Sequence, residues 1–248
     1  MKNKFNILLW TIALLVSTPA LAWFDVDKPL PTKENKGGNS GGRTMANCAN
    51  SASRAVLDIN NVRCMLHNGG DMWWDLLSVP QYEVPKVTEP GQPSRHSMFA
   101  GGIWVGGVDT TAKQNVIVAQ TYRAGLVSYW PGPLECDGPQ KGRTEDLTCS
   151  AFDRHFTVKR DVVNEFVTKW YPGIGEDKIP DEILTWPGRG NPYLPKRVES
   201  FAGVNIDRCL APFVDVNCDG KYDPLQGDHP LMPGAEFGSG ADQVIWWV

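Results

Sequence analysis

Apolar and polar positions repeat at different periods along this chain, and the period is the first guide to its elements. Residues 56–66 alternate in part, Asn68-Gly69-Gly70-Asp71 is a strong turn signal, and residues 72–76 resume as an extended run, which together predict a hairpin. Residues 98–108 are apolar and punctuated by glycine, and residues 116–122 are a clear β segment. The two are expected to pair across residues 109–115. Residues 152–159 alternate at period two and predict a strand. After it the period changes. Val162, Phe166 and Trp170 fall four apart with Val163 and Val167 beside them, one face of a short helix with Asp161 as its N-cap. Residues 180–186 add one or two helical turns, stopped before Pro187-Gly188. Residues 244–248 form a final apolar strand. Residues 78–96, 131–150 and 187–200 read as loops. The fold class expected is mainly β, sandwich-like and antiparallel, with one or two short helices and long loops.

The first residues follow a different pattern. Lys2 and Lys4 form a short basic segment, residues 5–16 are apolar, and Ala20-Leu21-Ala22 offers a small-residue cleavage site. That order is a secretory signal peptide over residues 1–22. The apolar run is about half of the ~20 residues that a membrane span needs. Residues 23–45 are polar and turn-rich and read as a flexible tether. A β-rich extracellular domain is expected over residues 46–248, with no transmembrane segment in the mature chain. Its abrupt end in Val-Ile-Trp-Trp-Val points to a domain cut from a longer protein.

Composition sharpens this picture. The chain has 25 glycines, 19 prolines and 10 tryptophans, which suits short strands, irregular connections and large aromatic contacts. The net charge is −4, with no basic cluster, which excludes nucleic acid as a partner and is compatible with a cation. The six cysteines of an exported chain point to disulfides. Their clustering in twos favours Cys48–Cys64, Cys136–Cys149 and Cys209–Cys218. Zinc ranks low, because there is no C-x-x-C pair and the four histidines are scattered.

The strongest chemical motif runs from Asp215 to Asp223 in the form D-x-N-x-D-G-x-x-D. Calcium is a hard cation that takes six to eight oxygens, and acidic and amide residues in strict alternation place side-chain oxygens on one concave surface. Asp215, Asn217, Asp219 and Asp223 would offer side-chain oxygens, and Lys221 its carbonyl with its ammonium turned outward. Gly220 permits the sharp turn. The last ligand of an EF-hand would be Glu, where Gln226 stands, and Pro212 and Pro224 oppose flanking helices. Asp228 is the candidate for the missing carboxylate. An acidic turn with no metal is the plainer alternative.

Weaker constellations are present. Asp153 and His155 would share a strand face, most simply as a surface pair. Asp71, Asp75 and Glu83 are acids of the kind that glycosidases pair. In Trp73-Trp74 and Trp246-Trp247, one member of each pair is expected in the core and the other at a surface, where it could stack on sugar.

Several stretches together carry a family resemblance: residues 60–75 (NNVRCMLHNGGDMWWD), 96–107 (HSMFAGGIWVGG), 119–123 (AQTYR), 130–134 (WPGPL), 152–156 (FDRHF), 179–190 (IPDEILTWPGRG), 211–230 (APFVDVNCDGKYDPLQGDHP) and 241–248 (ADQVIWWV). In order and wording, residues 55–248 resemble the N-terminal region of large secreted surface proteins of Bacteroidota. Those proteins often carry a type IX secretion sorting domain, and some are gliding-motility-associated. The resemblance implies export to the cell surface and a modular β architecture, and it supplies no catalytic site. Cys64 and Cys218 depart from the pattern. The expected function is a non-enzymatic, calcium-stabilised structural or adhesive module with cell-surface proteins or glycans as partners. The alternatives are a carbohydrate-binding or carbohydrate-active protein and a self-assembling filament or surface-layer subunit joined through residues 244–248.

Overall fold

The computed structural model describes residues 48–77, 79–122, 129–136, 138–139, 141–234 and 240–248. The expected signal peptide (1–22) and tether (23–45) lie outside the described residues.

Strands β1 (Arg54–Ile59) and β2 (Val62–His67) form the first hairpin, in register from Arg54 opposite His67 to Ile59 opposite Val62. The turn is Asn60-Asn61, with Asn60 at φ 50. That left-handed conformation is one that asparagine tolerates. The segment expected to be one strand is therefore two. The louder Asn-Gly-Gly-Asp signal marks the next turn, which leads into the short β3 (Asp71–Met72). With β4 (Tyr82–Glu83) and β5 (Gly101–Gly102) these strands make a five-stranded antiparallel sheet, ordered β1-β2-β3-β5 with β4 also on β2. The expected pairing of the next two segments is present. β6 (Trp104–Asp109) and β7 (Gln114–Ala119) form a separate two-stranded ribbon.

The stretch read as a loop ends in a helix, α1 (Asp146–Phe152), whose Thr148, Cys149, Ala151 and Phe152 are buried. It is short and has no side-chain cap, so its helicity rests on tertiary burial rather than on local signals. It also takes Phe152, and β8 (Phe156–Lys159) begins four residues later than the alternation implied. α2 (Arg160–Lys169) follows β8 without a linker. Its N-cap is the extended Lys159, not Asp161. Asp161 instead sits inside the first turn, where its charge suits the helix dipole. Val163 and Phe166 point into the core, and Val167 is exposed. Two four-residue helices follow, α3 (Asp181–Leu184) and α4 (Leu194–Arg197). β9 (Phe213–Val214) pairs with β10 (His229–Pro230), and β11 (Gln243–Trp246) pairs antiparallel with β8.

The chain is thus mainly β and antiparallel, with a few short helices. A sandwich is not how its core is built. The buried apolar cluster draws on α1, β8, α2, α3, α4 and the loops up to Met232, and among the described residues it takes nothing from β1 to β7. Partly buried Val244, Trp246 and Val248 close it from the C-terminal side.

One disulfide is present, Cys48–Cys149, while Cys64, Cys136, Cys209 and Cys218 are free thiols. None of the three pairings expected from clustering is found. Spacing favoured short loops, but the fold places α1 beside the lead-in to β1, 101 residues away in sequence. Cys64 is meanwhile buried on β2. Closing so long a loop removes roughly 4–5 kcal/mol of unfolded-chain entropy, more than a short loop would.

Candidate functional site

The acidic motif lies on a loop fixed at three places. At its base, Val214 pairs with His229 and Phe213 with Pro230. Beneath it, the buried Asp228 accepts the Val216 N–H on Oδ1 (2.8 Å) and the Asp223 N–H on Oδ2 (2.8 Å), tying the two ends of the loop together. From its middle, Tyr222 plunges into the core. It is fully buried, its hydroxyl donates to the Ile183 carbonyl at 2.7 Å, and its ring meets Phe213 edge-on. Gly188 is required for that approach, because a Cβ there would stand 2.6 Å from the Tyr222 side chain. Trp186 Nε1 donates to the Pro212 carbonyl at 3.1 Å and holds the incoming chain.

Above this base the loop turns through two left-handed residues, Cys218 (φ 60) and Gly220 (φ 78). Asp215 Oδ1 and Asn217 Oδ1 both accept the Asp219 N–H, at 3.3 and 3.2 Å. Asp215 Oδ2 accepts the Gly220 N–H (2.8 Å), and Asp219 Oδ1 accepts the Lys221 N–H (2.8 Å). Asn217 Nδ2 donates to Asp219 Oδ2 at 3.0 Å. The structure therefore brings Asp215, Asn217 and Asp219 together.

The other candidates have separate surroundings. The Lys221 ammonium is exposed and lies 4.0 Å from the Asp207 carboxylate, which is outside the motif. Asp223 caps the following 3-10 turn through the Leu225 N–H (3.0 Å) and stands near the Tyr193 phenol. Burial, with Asp223 and Glu176 nearby, pushes the Tyr193 phenol up to about 12. Burial also lifts the Asp228 carboxyl above the ordinary range. Its two backbone hydrogen bonds oppose the rise, and Asp215 and Asp219 reinforce it.

Among the described residues, no three His, Cys, Asp or Glu side chains gather as a metal cage. The oxygens that fit a hard cation are a mixed set: the Asp215 and Asp219 carboxylates, the Asn217 amide oxygen and the Lys221 carbonyl. Two carboxylates facing one amide group are a charge excess that such an ion would neutralise. Each of these oxygens has more than one lone pair, so accepting an N–H group does not bar it from coordinating an ion.

The weaker constellations have structural employment. Asp153 accepts the N–H groups of Ala52 (2.7 Å) and Ser53 (3.0 Å), and Ser53 Oγ lies 2.9 Å from His155 Nδ1. A serine within reach of an imidazole resembles a nucleophile with its base. However, the Asp153 carboxylate serves the backbone rather than the ring, and His155 Nε2 is buried with no hydrogen-bond partner. Burial, reinforced by His67 and opposed by Asp153, lowers His155 to about 4. The pair thus anchors the lead-in to β1 and is not an isolated surface pair. Asp71 is buried and accepts Trp74 Nε1 (2.9 Å) and Gln120 Nε2 (3.3 Å). Glu83 is buried against Arg63 (3.1 Å), and Asp75 caps a turn at Leu77 and Val79. Of the tryptophan pairs, Trp74 is buried while Trp73 leans on Tyr82, and Trp246 and Trp247 are both half-buried. Among the described residues, the most exposed tryptophan is one that no pair pointed to, Trp104.

Sequence reasoning missed Tyr222 as the anchor of the acidic loop. The signal was there, because an aromatic residue between Lys221 and Asp223 has no place in a solvated turn. No helix of the described residues is long and apolar enough to cross a membrane. No protein-family model matches the chain, and no curated protein or solved structure matches it.

Proposed function

We propose that this chain is a calcium-stabilised structural or adhesive module of an exported cell-surface protein. The observation that carries the reading is the convergence of Asp215, Asn217 and Asp219 on one turn of a loop whose base is already fixed. A floppy acidic loop would have to be ordered by the ion. This one is held by Asp228 and Tyr222, so the ordering cost of binding is reduced. The Cys48–Cys149 disulfide and the basic-apolar-small pattern of residues 1–22 support an oxidising destination outside the cytoplasm. The resemblance of residues 55–248 to secreted surface proteins of Bacteroidota, including type IX cargo, supports the same destination. Calcium would here have a structural role, neutralising Asp215 and Asp219 and locking the Gly220 turn.

Calorimetric calcium titration of the oxidised chain tests this. Saturable binding is expected, lost in Asp219→Ala and accompanied by a higher melting temperature. A folded chain that binds no calcium reduces the loop to an acidic turn and removes the calcium part of the proposal.

The second reading, carbohydrate binding, is favoured by one observation, the exposed indole of Trp104. Retention on a polysaccharide gel that Trp104→Ala abolishes would support it.

A further inference from the structure

Where the turn of the first hairpin meets the start of α2, the chain forms a cleft of about 320 Å³, a volume within the range of small-ligand sites. Its lining follows from spacing and pairing. Arg160 and Asn164 stand four apart on α2 and so share one side of the helix. Lys159 pairs with Gln243 across the β8–β11 ladder, and the Arg160 N–H donates to the Asp242 carbonyl at 3.0 Å, which sets Asp242 beside the helix start. Half-buried Ile59 and the turn residue Asn60 close the cleft from the sheet side. Part of this lining is spent on holding its own shape. Arg160 Nε donates to the Ala241 carbonyl at 2.9 Å and Nη2 to the Gly240 carbonyl, and Nη2 pairs with Asp242 Oδ1 at 3.2 Å. Asp242 Oδ2 accepts Asn60 Nδ2 at 2.6 Å. The rest is unspent. Asp161 uses Oδ1 on the Val162 N–H (2.9 Å), and among the described residues the Lys159 ammonium and the Asn164 side-chain amide hold no hydrogen bond or ion pair.

We propose that this cleft binds one neutral sugar ring, a monosaccharide unit of a glycan whose remainder stays outside. Three features select that class. The first is charge. Lys159 and Arg160 are balanced by Asp161 and Asp242, and Arg160 is already neutralised by its ion pair, so a free anion entering the cleft would meet two carboxylates. The second is the mixture of donors and acceptors. A side-chain amide presents both, a carboxylate only accepts and an ammonium only donates. A sugar hydroxyl donates and accepts at one atom, so neighbouring hydroxyls can engage Asn164, Asp161 and Lys159 together, while Ile59 gives the C–H face of the ring an apolar contact. The third is rigidity. The Arg160–Asp242–Asn60 chain is fixed before any ligand arrives, which lowers the ordering cost of binding. The proposal gives the adhesive reading a ligand and rests on that reading for a destination outside the cell. Calcium titration tests that reading with no sugar present, so the two fail separately.

The test is nitrogen–proton correlation NMR of the full oxidised chain, titrated with glucose, galactose, mannose and N-acetylglucosamine, each to tens of millimolar. For at least one sugar, saturable shifts are expected at the Asn60 and Asn164 side-chain amides and at the backbone of residues 159–161 and 242. Half-saturation should be on the order of millimolar, the scale of a ligand held by a few hydrogen bonds, and it should not change when added salt screens the charges. Asn164→Leu, at an exposed helix position that leucine suits, should weaken binding at least ~10-fold. Trp104→Ala should leave it unchanged. Absence of shifts with every sugar overturns the proposal, and so does an Asn164→Leu variant that binds like the unaltered chain. Shifts confined to Trp104 and its neighbours on β6 and β7 overturn it in favour of a sugar site on that ribbon. A glycine titration that moves the same amides more strongly, and fades with salt, assigns the cleft to a zwitterion and overturns the neutral class.

Discussion

Residues 54–119 and residues 146–248 are stabilised in different ways. The later region encloses a continuous apolar cluster from Ala151 to Met232, with Phe152, Ile183, Leu184, Leu194 and Phe201 fully buried. The earlier region has strands but little apolar interior. Among its described residues, Cys64 and Trp74 are the buried hydrophobics, beside buried His67, Asn68, Asp71 and Glu83. β1 alternates between exposed and half-buried positions along its whole length. The sheet is held by ladder hydrogen bonds and by polar contacts around the turn at residues 68–70, such as His67 Nε2 with the Trp74 carbonyl at 2.6 Å. It is docked to the later region by particular bonds. Asn68 Nδ2 donates to the Phe152 carbonyl (2.7 Å), Asn60 Nδ2 to Asp242 (2.6 Å), and Ala52 and Ser53 to Asp153. The Cys48–Cys149 bridge joins the two regions covalently. A compact set of short helices can therefore serve as the foundation on which a core-poor sheet is mounted, and the two regions should open at different free energies.

The largest expected effect breaks the foundation. Leu184→Ala removes a fully buried side chain from the cluster and should cost about 2–5 kcal/mol in denaturant unfolding. Val56→Ala on the exposed face of β1 should cost under about 1 kcal/mol. Equal costs would mean that the sheet has an apolar core of its own.

Next, Cys48→Ser removes the covalent link and should destabilise by about 2–5 kcal/mol. Its sharper signature is regional. Hydrogen exchange should accelerate over residues 54–83 while residues 156–166 keep their protection. Uniform acceleration would show that the two regions unfold as one unit.

The smallest effect is a pH dependence at the docking point. His155 has a folded value of about 4 against an ordinary 6.5, so between those values the unfolded chain binds the extra proton. The stability contributed by the neutral ring is full above about 6.5 and is lost as pH falls toward about 4. Asp228, raised by burial, works in the opposite sense: its contribution is present at low pH and lost as pH rises through its folded value. The comparison of the unaltered chain with His155→Gln therefore isolates the imidazole. Thermal melts between pH 7 and pH 4, about the span of that titration, should fall more steeply in the unaltered chain than in the variant. Parallel curves would remove His155 as the cause.

Much of the fold was legible where the pattern is long and local. The pairing of the apolar runs that hold β6 and β7 and the four-residue spacing of Val162 and Phe166 were legible, because apolar runs and helical spacing are properties of neighbouring residues, while the alternation over residues 152–159 was read four residues too early because α1 takes Phe152. The Asn60-Asn61 turn was missed, since two asparagines are a quieter signal than Asn-Gly-Gly-Asp. α1 was missed because it has no capping box and only seven residues. The acidic motif was legible from spacing as far as Asp215, Asn217 and Asp219. The positions of Asp223 and Asp228 depended on Tyr193, Val216 and the β9–β10 pair.

By itself the sequence determined the strand-rich class, the helix after β8, the acidic turn with Gly220 at its sharp point and the exposed lysine beside it. All of these follow from residue type and near spacing. The tertiary structure alone decided that Cys48 meets Cys149, that the core belongs to the later region, that Asp153 and His155 hold the lead-in to β1, and that Trp104 stands in solvent. Each of these depends on which distant segments meet, and burial and long-range contact are properties of the packed chain that no local window contains.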